Sequence, residues 1–131
     1  MRGTHEERVR IRWRDVDAYG HVNNAVYLTY LEEARDAWVR AVLGAAFDFV
    51  IVRIVIDFRS ELTLEDREVV VRCVGRGYGR SSVLTHERVL AADGRLAAEA
   101  ESVIVAHDPI GRRARALTAD ERTRLDAVLE G

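Results

Sequence analysis

The chain has 131 residues, 48% of them hydrophobic and 32% charged, with a net charge of -2, which leaves room for one domain over residues 1–131 and excludes a disordered chain. The charges are spread rather than blocked, so nothing points to nucleic acid or a membrane surface as a partner. All 20 basic residues are Arg, which rules out lysine nucleophiles and Schiff bases and leaves guanidinium groups or backbone amides for any phosphate contact.

The N-terminal segment Met1-Arg2-Gly3-Thr4-His5-Glu6-Glu7 has no apolar signal-like core, and no apolar run approaches the ~20 residues of a membrane span. The expectation is a cytoplasmic protein. From Glu7 to Trp13 polar and apolar residues alternate, with Val9, Ile11 and Trp13 on one face, which predicts a strand. Asp15 to Gly20 breaks that pattern. From Asn24 to Leu43 the period changes: Tyr27, Leu31, Ala34, Trp38 and Ala41 recur at spacings of four and three. This is an amphipathic helix roughly 30 Å long at 1.5 Å per residue. Asn23 or Asn24 can cap its start, and Gly44 stands where it should stop. Tyr30, Ala37 and Val42 widen the apolar stripe, so burial on more than one side is expected.

Beyond Gly44 the chain reads as β structure. Phe49–Phe58, Glu68–Val74, Ser82–Leu90 and Leu96–His107 are the strands, with a hairpin or bulge over Gly75–Gly79 and a tight turn at Asp93-Gly94. Thr118-Ala-Asp-Glu121 has the form of a capping box and opens a short helix to about Leu129. One long helix, a run of antiparallel strands and a short C-terminal helix make an α+β domain with the sheet packed on the helix. Such a sheet leaves an edge and an outer face to cover, which favours self-association.

The stretch Arg12-Trp13-Arg14-Asp15-Val16-Asp17-Ala18-Tyr19-Gly20-His21-Val22-Asn23-Asn24 carries the chemistry. It sets carboxylates just ahead of a helix start, where unpaired amides and the helix dipole can hold a developing oxyanion. A carboxylate there can act as nucleophile or as general base on water. Read alone, Asp17 could instead cap a turn, and Asp15 is best read as structural. Asn23 and Asn24 side chains are expected as caps. Glu32 and Glu33 are expected as solvated helix residues and Cys73 as an inert core thiol. The lone cysteine excludes an intrachain disulfide, and His86 and His107 show no metal-ligand spacing, so neither metal nor cofactor is expected.

The segment Asp15-Val-Asp17-Ala-Tyr-Gly-His21-Val-Asn23-Asn24 resembles the active-site segment of the hotdog-fold thioesterases related to 4-hydroxybenzoyl-CoA thioesterase and the acyl-ACP thioesterases, which read Asp-x-Asp-x-x-x-His-Val-Asn-Asn before a long central helix. The resemblance covers about residues 8 to 108. It implies a hotdog fold, with a five-stranded antiparallel sheet wrapped around that helix, in a homodimer or dimer of dimers with active sites at the dimer interface. It also implies hydrolysis of an acyl-CoA thioester to free acid and CoA. An acyl-ACP substrate, or acyl-CoA or lipid binding without turnover, is the alternative, and Arg112-Arg113-Ala-Arg115 is the candidate rim for an acidic carrier. By position, Asp17 matches the catalytic aspartate, His21 the histidine of the acyl-ACP branch, and Asn24 the helix-start amide that would polarise the carbonyl. Tyr27, Arg59, Arg80, Ser81 and Ser82 are the expected substrate contacts, with an acyl pocket along Tyr27, Tyr30 and Leu31. The chain departs from the family pattern in two places. Tyr19 stands where the acyl-ACP branch tends to have Asn. Arg59-Ser60-Glu61-Leu62 and Leu64-Glu65-Asp66 replace the usual Pro and Gly-Asp around the second and third strands.

Overall fold

A computed structural model describes residues 3–129. Strand β1 (Thr4–Arg10) leads through a 3-10 turn (Trp13–Asp15) to the long helix α1 (Asn24–Leu43). Then come β2 (Phe49–Phe58), a 3-10 turn at Leu64–Asp66, β3 (Glu68–Tyr78), β4 (Ser82–Ala91), β5 (Leu96–Asp108), the two-residue β6 (Arg113–Ala114) and α2 (Ala119–Val128). The strands form an antiparallel sheet in the order β1-β3-β4-β5-β2, with β6 paired to the end of β5. Helix α1 lies against β1, β3 and β4, and α2 closes the end of β3. This is the expected hotdog architecture.

Asn23 caps α1, its Oδ1 accepting from the Ala25 N–H at 2.9 Å, so one of the orphan first-turn donors is satisfied. The sheet meets the helix with one residue in two, as strand geometry requires. Val69, Val71 and Cys73 on β3, Val83 and Val89 on β4, and Ala98, Ala100 and Ile104 on β5 all point inward and are buried. Small side chains let the layers close. A Cβ on Gly75 would sit 2.6 Å from Cζ2 of Trp38, so only glycine fits under that indole. The same residue opens a bulge in β3 before Gly77, which adds twist and carries the strand on to Tyr78, beyond the Val74 limit expected from sequence.

Three expectations shift. Strand β1 begins at Thr4 and ends at Arg10, and Trp13 is 82% exposed instead of sharing a face with Val9 and Ile11. The physical cause is Asp15, whose carboxylate takes the Arg12 N–H at 2.8 Å and folds the chain out of the strand. On α1 the expected stripe holds at Tyr27, Tyr30, Leu31, Ala34 and Trp38, but Ala41 is exposed, and Arg35, Val39 and Leu43 are buried as well. The short strand β6 was not expected.

The buried Arg35 meets Glu87 of β4 deep between helix and sheet. Its Nη1 lies 2.9 Å from Glu87 Oε1, and neither side chain is more than 5% exposed. Ser102 Oγ donates to the same Oε1 at 2.7 Å, and Thr85 Oγ1 donates to Oε2 at 3.2 Å. Both carboxylate oxygens are thereby satisfied, which is the condition under which a buried charge is tolerable. Arg35 Nε has no partner among the described residues. Removing one partner strands the other charge, so Arg35→Ala should lower unfolding free energy by about 3–5 kcal/mol, whereas Arg35→Met with Glu87→Leu should recover most of it. Urea titration followed by tryptophan fluorescence checks both. Cys73 faces the same core, and burial pushes its thiol well above the usual range. It should therefore resist a thiol-reactive dye in the native protein and react fully once unfolded.

Candidate active site

Val16 and Val22 bridge antiparallel across a tight loop. Asp17 N–H donates to His21 O at 2.8 Å and Gly20 N–H to Asp17 O at 3.1 Å. Gly20 closes the turn at φ +84, which disfavours other residues. Inside this frame the Asp17 carboxylate turns back on its own loop. Oδ1 accepts from the Tyr19 N–H at 2.9 Å and the His21 N–H at 3.3 Å. Oδ2 takes no hydrogen bond among the described residues, so Asp17 caps its turn and also keeps one oxygen free for chemistry.

Asp15 does the structural work on the other side. It is buried, and its Oδ2 accepts from the Tyr30 hydroxyl at 2.9 Å as well as from the Arg12 amide. Burial, and next the Asp15 carboxylate, push the Tyr30 hydroxyl far above its ordinary range, so it stays a donor. Asn23 N–H donates to Asp15 O at 2.9 Å. The loop carrying Asp17 is thus bolted to the second turn of α1 by the Asp15 carboxylate and to the helix cap by the Asp15 carbonyl.

At the helix entry, the Asn24 N–H makes no hydrogen bond among the described residues, while its neighbours Ala25 and Val26 both donate to Asn23. An unpaired amide at the positive end of a 20-residue helix is suited to an oxyanion. Asn24 opens onto a cavity of about 260 Å³ walled by His21, Val22, Tyr27, Phe58, Arg59, Ser60 and Glu61. Tyr27 stands edge-on to Phe58 at 5.1 Å, and burial raises its hydroxyl above the ordinary value. Arg59 lines the same cavity, its Nε 3.2 Å from Glu99 Oε2. His21 Nε2 lies 2.9 Å from Glu61 Oε2.

Of the residues expected from sequence, the fold brings His21, Asn24, Tyr27 and Arg59 together, with Asp17 on the adjoining loop rather than in the cavity wall. Tyr30 and Leu31 are sealed in the core, so the pocket does not run along them as expected. Arg80, Ser81 and Ser82 lie at the opposite end of β4. Ten strand residues at about 3.3 Å each separate the two groups within one chain. Arg115, expected on a carrier-facing rim, is held by Glu121 through two 2.8 Å contacts and lies over the Phe47 ring. Glu32 and Glu33 are exposed, as expected. Phe58 and Glu61 are wall residues that sequence reasoning missed. For Glu61 the signal was present in the departure at Arg59-Ser60-Glu61-Leu62. Among the described residues no cluster of His, Cys, Asp or Glu could hold a metal, and no helix is long and apolar enough to cross a membrane.

Comparison with known proteins gives this geometry a context. The family model described as the thioesterase-like superfamily matches residues 11–123. The long-chain acyl-CoA thioesterase FadM of Escherichia coli is 29% identical over 133 residues, covering 95% of this chain and 99% of that protein. The acyl-CoA thioester hydrolase YbgC of Escherichia coli is also 29% identical, over 83% of this chain and 86% of its own length. Among solved structures, a Thermus thermophilus thioesterase crystallised with coenzyme A and zinc superposes with a TM-score of 0.84 at 35% identity, covering 94% of this chain and 98% of that one.

The Asp15–Tyr30 bond yields a test of the scaffold. Tyr30→Phe removes the donor and leaves a buried carboxylate short of one bond, at a cost of about 1–3 kcal/mol. Thermal unfolding should show a lowered Tm, and amide exchange should quicken over residues 15–24 more than in the sheet.

Proposed function

This chain belongs to the thioesterase-like superfamily, and from that premise we propose that it hydrolyses acyl-CoA thioesters to free acid and CoA. The observation that carries the reading is a half-free Asp17 carboxylate in the loop leading into α1, whose first residue, Asn24, has an amide unpaired among the described residues. In this reading Asn24 N–H and the helix dipole hold the thioester oxygen as negative charge develops on it. Asp17 Oδ2 takes a proton from water as the water oxygen bonds to the carbonyl carbon. The C–S bond then breaks, and the thiolate, a good leaving group at neutral pH, departs without needing a strong acid. The relatives named for acyl-CoA hydrolysis support CoA as the carrier.

The working unit in this reading is a homodimer. Among the described residues strand β2 is bonded only to β5, so its other edge is open. Val50, Ile51, Val52, Val55 and Phe58 are each 40% or more exposed along it. An open apolar edge is an association surface, and antiparallel pairing with a second copy of itself satisfies it symmetrically. Phe58 and Arg59 at the end of that strand also wall the cavity, which would put the acyl site beside the junction.

Thiol release from short, medium, long and aromatic acyl-CoAs is the direct test. Wild-type turnover should fall at least about 100-fold in Asp17→Asn, which keeps shape but cannot take a proton. Equal rates in the two proteins would remove Asp17 from the mechanism. Light scattering should report a dimer, shifted toward monomer by Val52→Asp.

A further inference from the structure

Glu61 has no part in the reaction as written above, yet its carboxylate meets the one imidazole among the described residues of the cavity wall. The contact is His21 Nε2 to Glu61 Oε2 at 2.9 Å, and both residues wall the space onto which Asn24 opens. The backbone on each side of it is anchored. Val22 N–H donates to Leu62 O at 2.8 Å, joining the residue after His21 to the residue after Glu61. Ser60 N–H and Oγ bond Ala97 O and Leu96 O, Leu62 is fully buried, and Arg95 Nη2 donates to Glu61 O at 3.1 Å. On the other partner, the His21 N–H is spent on Asp17 Oδ1. Both main chains are therefore fixed before the side chains meet.

We propose that Glu61 is a positioning residue for His21, holding the proton on Nε2 and leaving Nδ1 as the acceptor nitrogen. An imidazole shows one donor and one acceptor, and the partner of one nitrogen decides the role of the other. With Nε2–H donated to Glu61, the ring is fixed in one tautomer and orientation. Nδ1 is then ready to accept from a water or a substrate N–H in the cavity. The pair is exposed and adds little to stability, so its removal leaves the fold intact. The consequence for turnover rests on the thioesterase reading, whereas the tautomer does not.

Two measurements test this separately. Long-range proton–nitrogen spectra of the labelled protein, with His21 assigned by its loss in His21→Gln, should show the Nε2–H form in wild type and a loss of that preference in Glu61→Ala. An unchanged tautomer in Glu61→Ala would overturn the proposal whatever the enzyme does. In the kinetic arm, Glu61→Ala should lower kcat about tenfold with KM within about twofold. Glu61→Gln, which keeps an acceptor oxygen, should recover most of the rate. In the His21→Gln background the Glu61→Ala change should have no further effect, because the two act as one unit. An equal loss in both backgrounds would make Glu61 a structural residue of its loop and overturn its action through His21. A wild-type protein that released no thiol from any acyl-CoA would instead strike the thioesterase reading and leave the tautomer result standing.

Discussion

The hydrogen bond from the buried Tyr30 hydroxyl to Asp15 is what the candidate site depends on. A carboxylate at that depth is costly unless each lone pair finds a donor, so the chain around it has little freedom. Arg12 N–H and Tyr30 take up Asp15 Oδ2, Asn23 N–H takes up its carbonyl, and the loop between is left the width of one tight turn. Asp17 and Asn24 inherit their placement from that arrangement. A helix start without such a clamp would fray, and an oxyanion donor at a fraying end would not hold its position.

A second buried polar group works at the middle of α1. Arg35 and Glu87 sit where hydrophobic residues would pack at least as well, and an ion pair there adds little net stability. Its effect is on register. Glu87 Oε1 takes bonds from Arg35 on the helix and Ser102 on β5, so helix and two strands meet correctly in only one alignment. Gly75 beneath Trp38 adds a steric constraint to the same layer. The helix whose first residue opens the site is therefore held at its start by Asp15 and at its centre by Glu87.

The residues expected to contact substrate lie at two ends of the sheet. The cavity lies where β1 hands over to the Asp17 loop and β2 ends at Phe58. Arg80, Ser81 and Ser82 lie at the far end of β4, where Arg80 O and Ser81 O hold Leu117 and Ala106.

Local pattern was enough for much of this protein. Periodicity located α1 and the four long strands, because a 3.6-residue period and a two-residue alternation arise from backbone geometry alone. The string Asp15 to Asn24 marked the candidate site, because capping, turn and helix-start chemistry are all local in sequence. What lies beyond reach of pattern is contact between distant residues. Nothing in the sequence near Arg35 signals that a partner 52 residues away makes its burial tolerable. Trp13 alternates correctly for a strand, and only the Asp15 carboxylate turns it out to solvent. Glu61 reads as an ordinary loop acid until the backbone bond between Val22 and Leu62 sets it against His21. The sequence by itself determined the fold class and the segment of the candidate site; the tertiary structure alone decided which charges are buried, which side chains wall the cavity and which edge is left open, because these depend on packing across the sheet rather than along the chain.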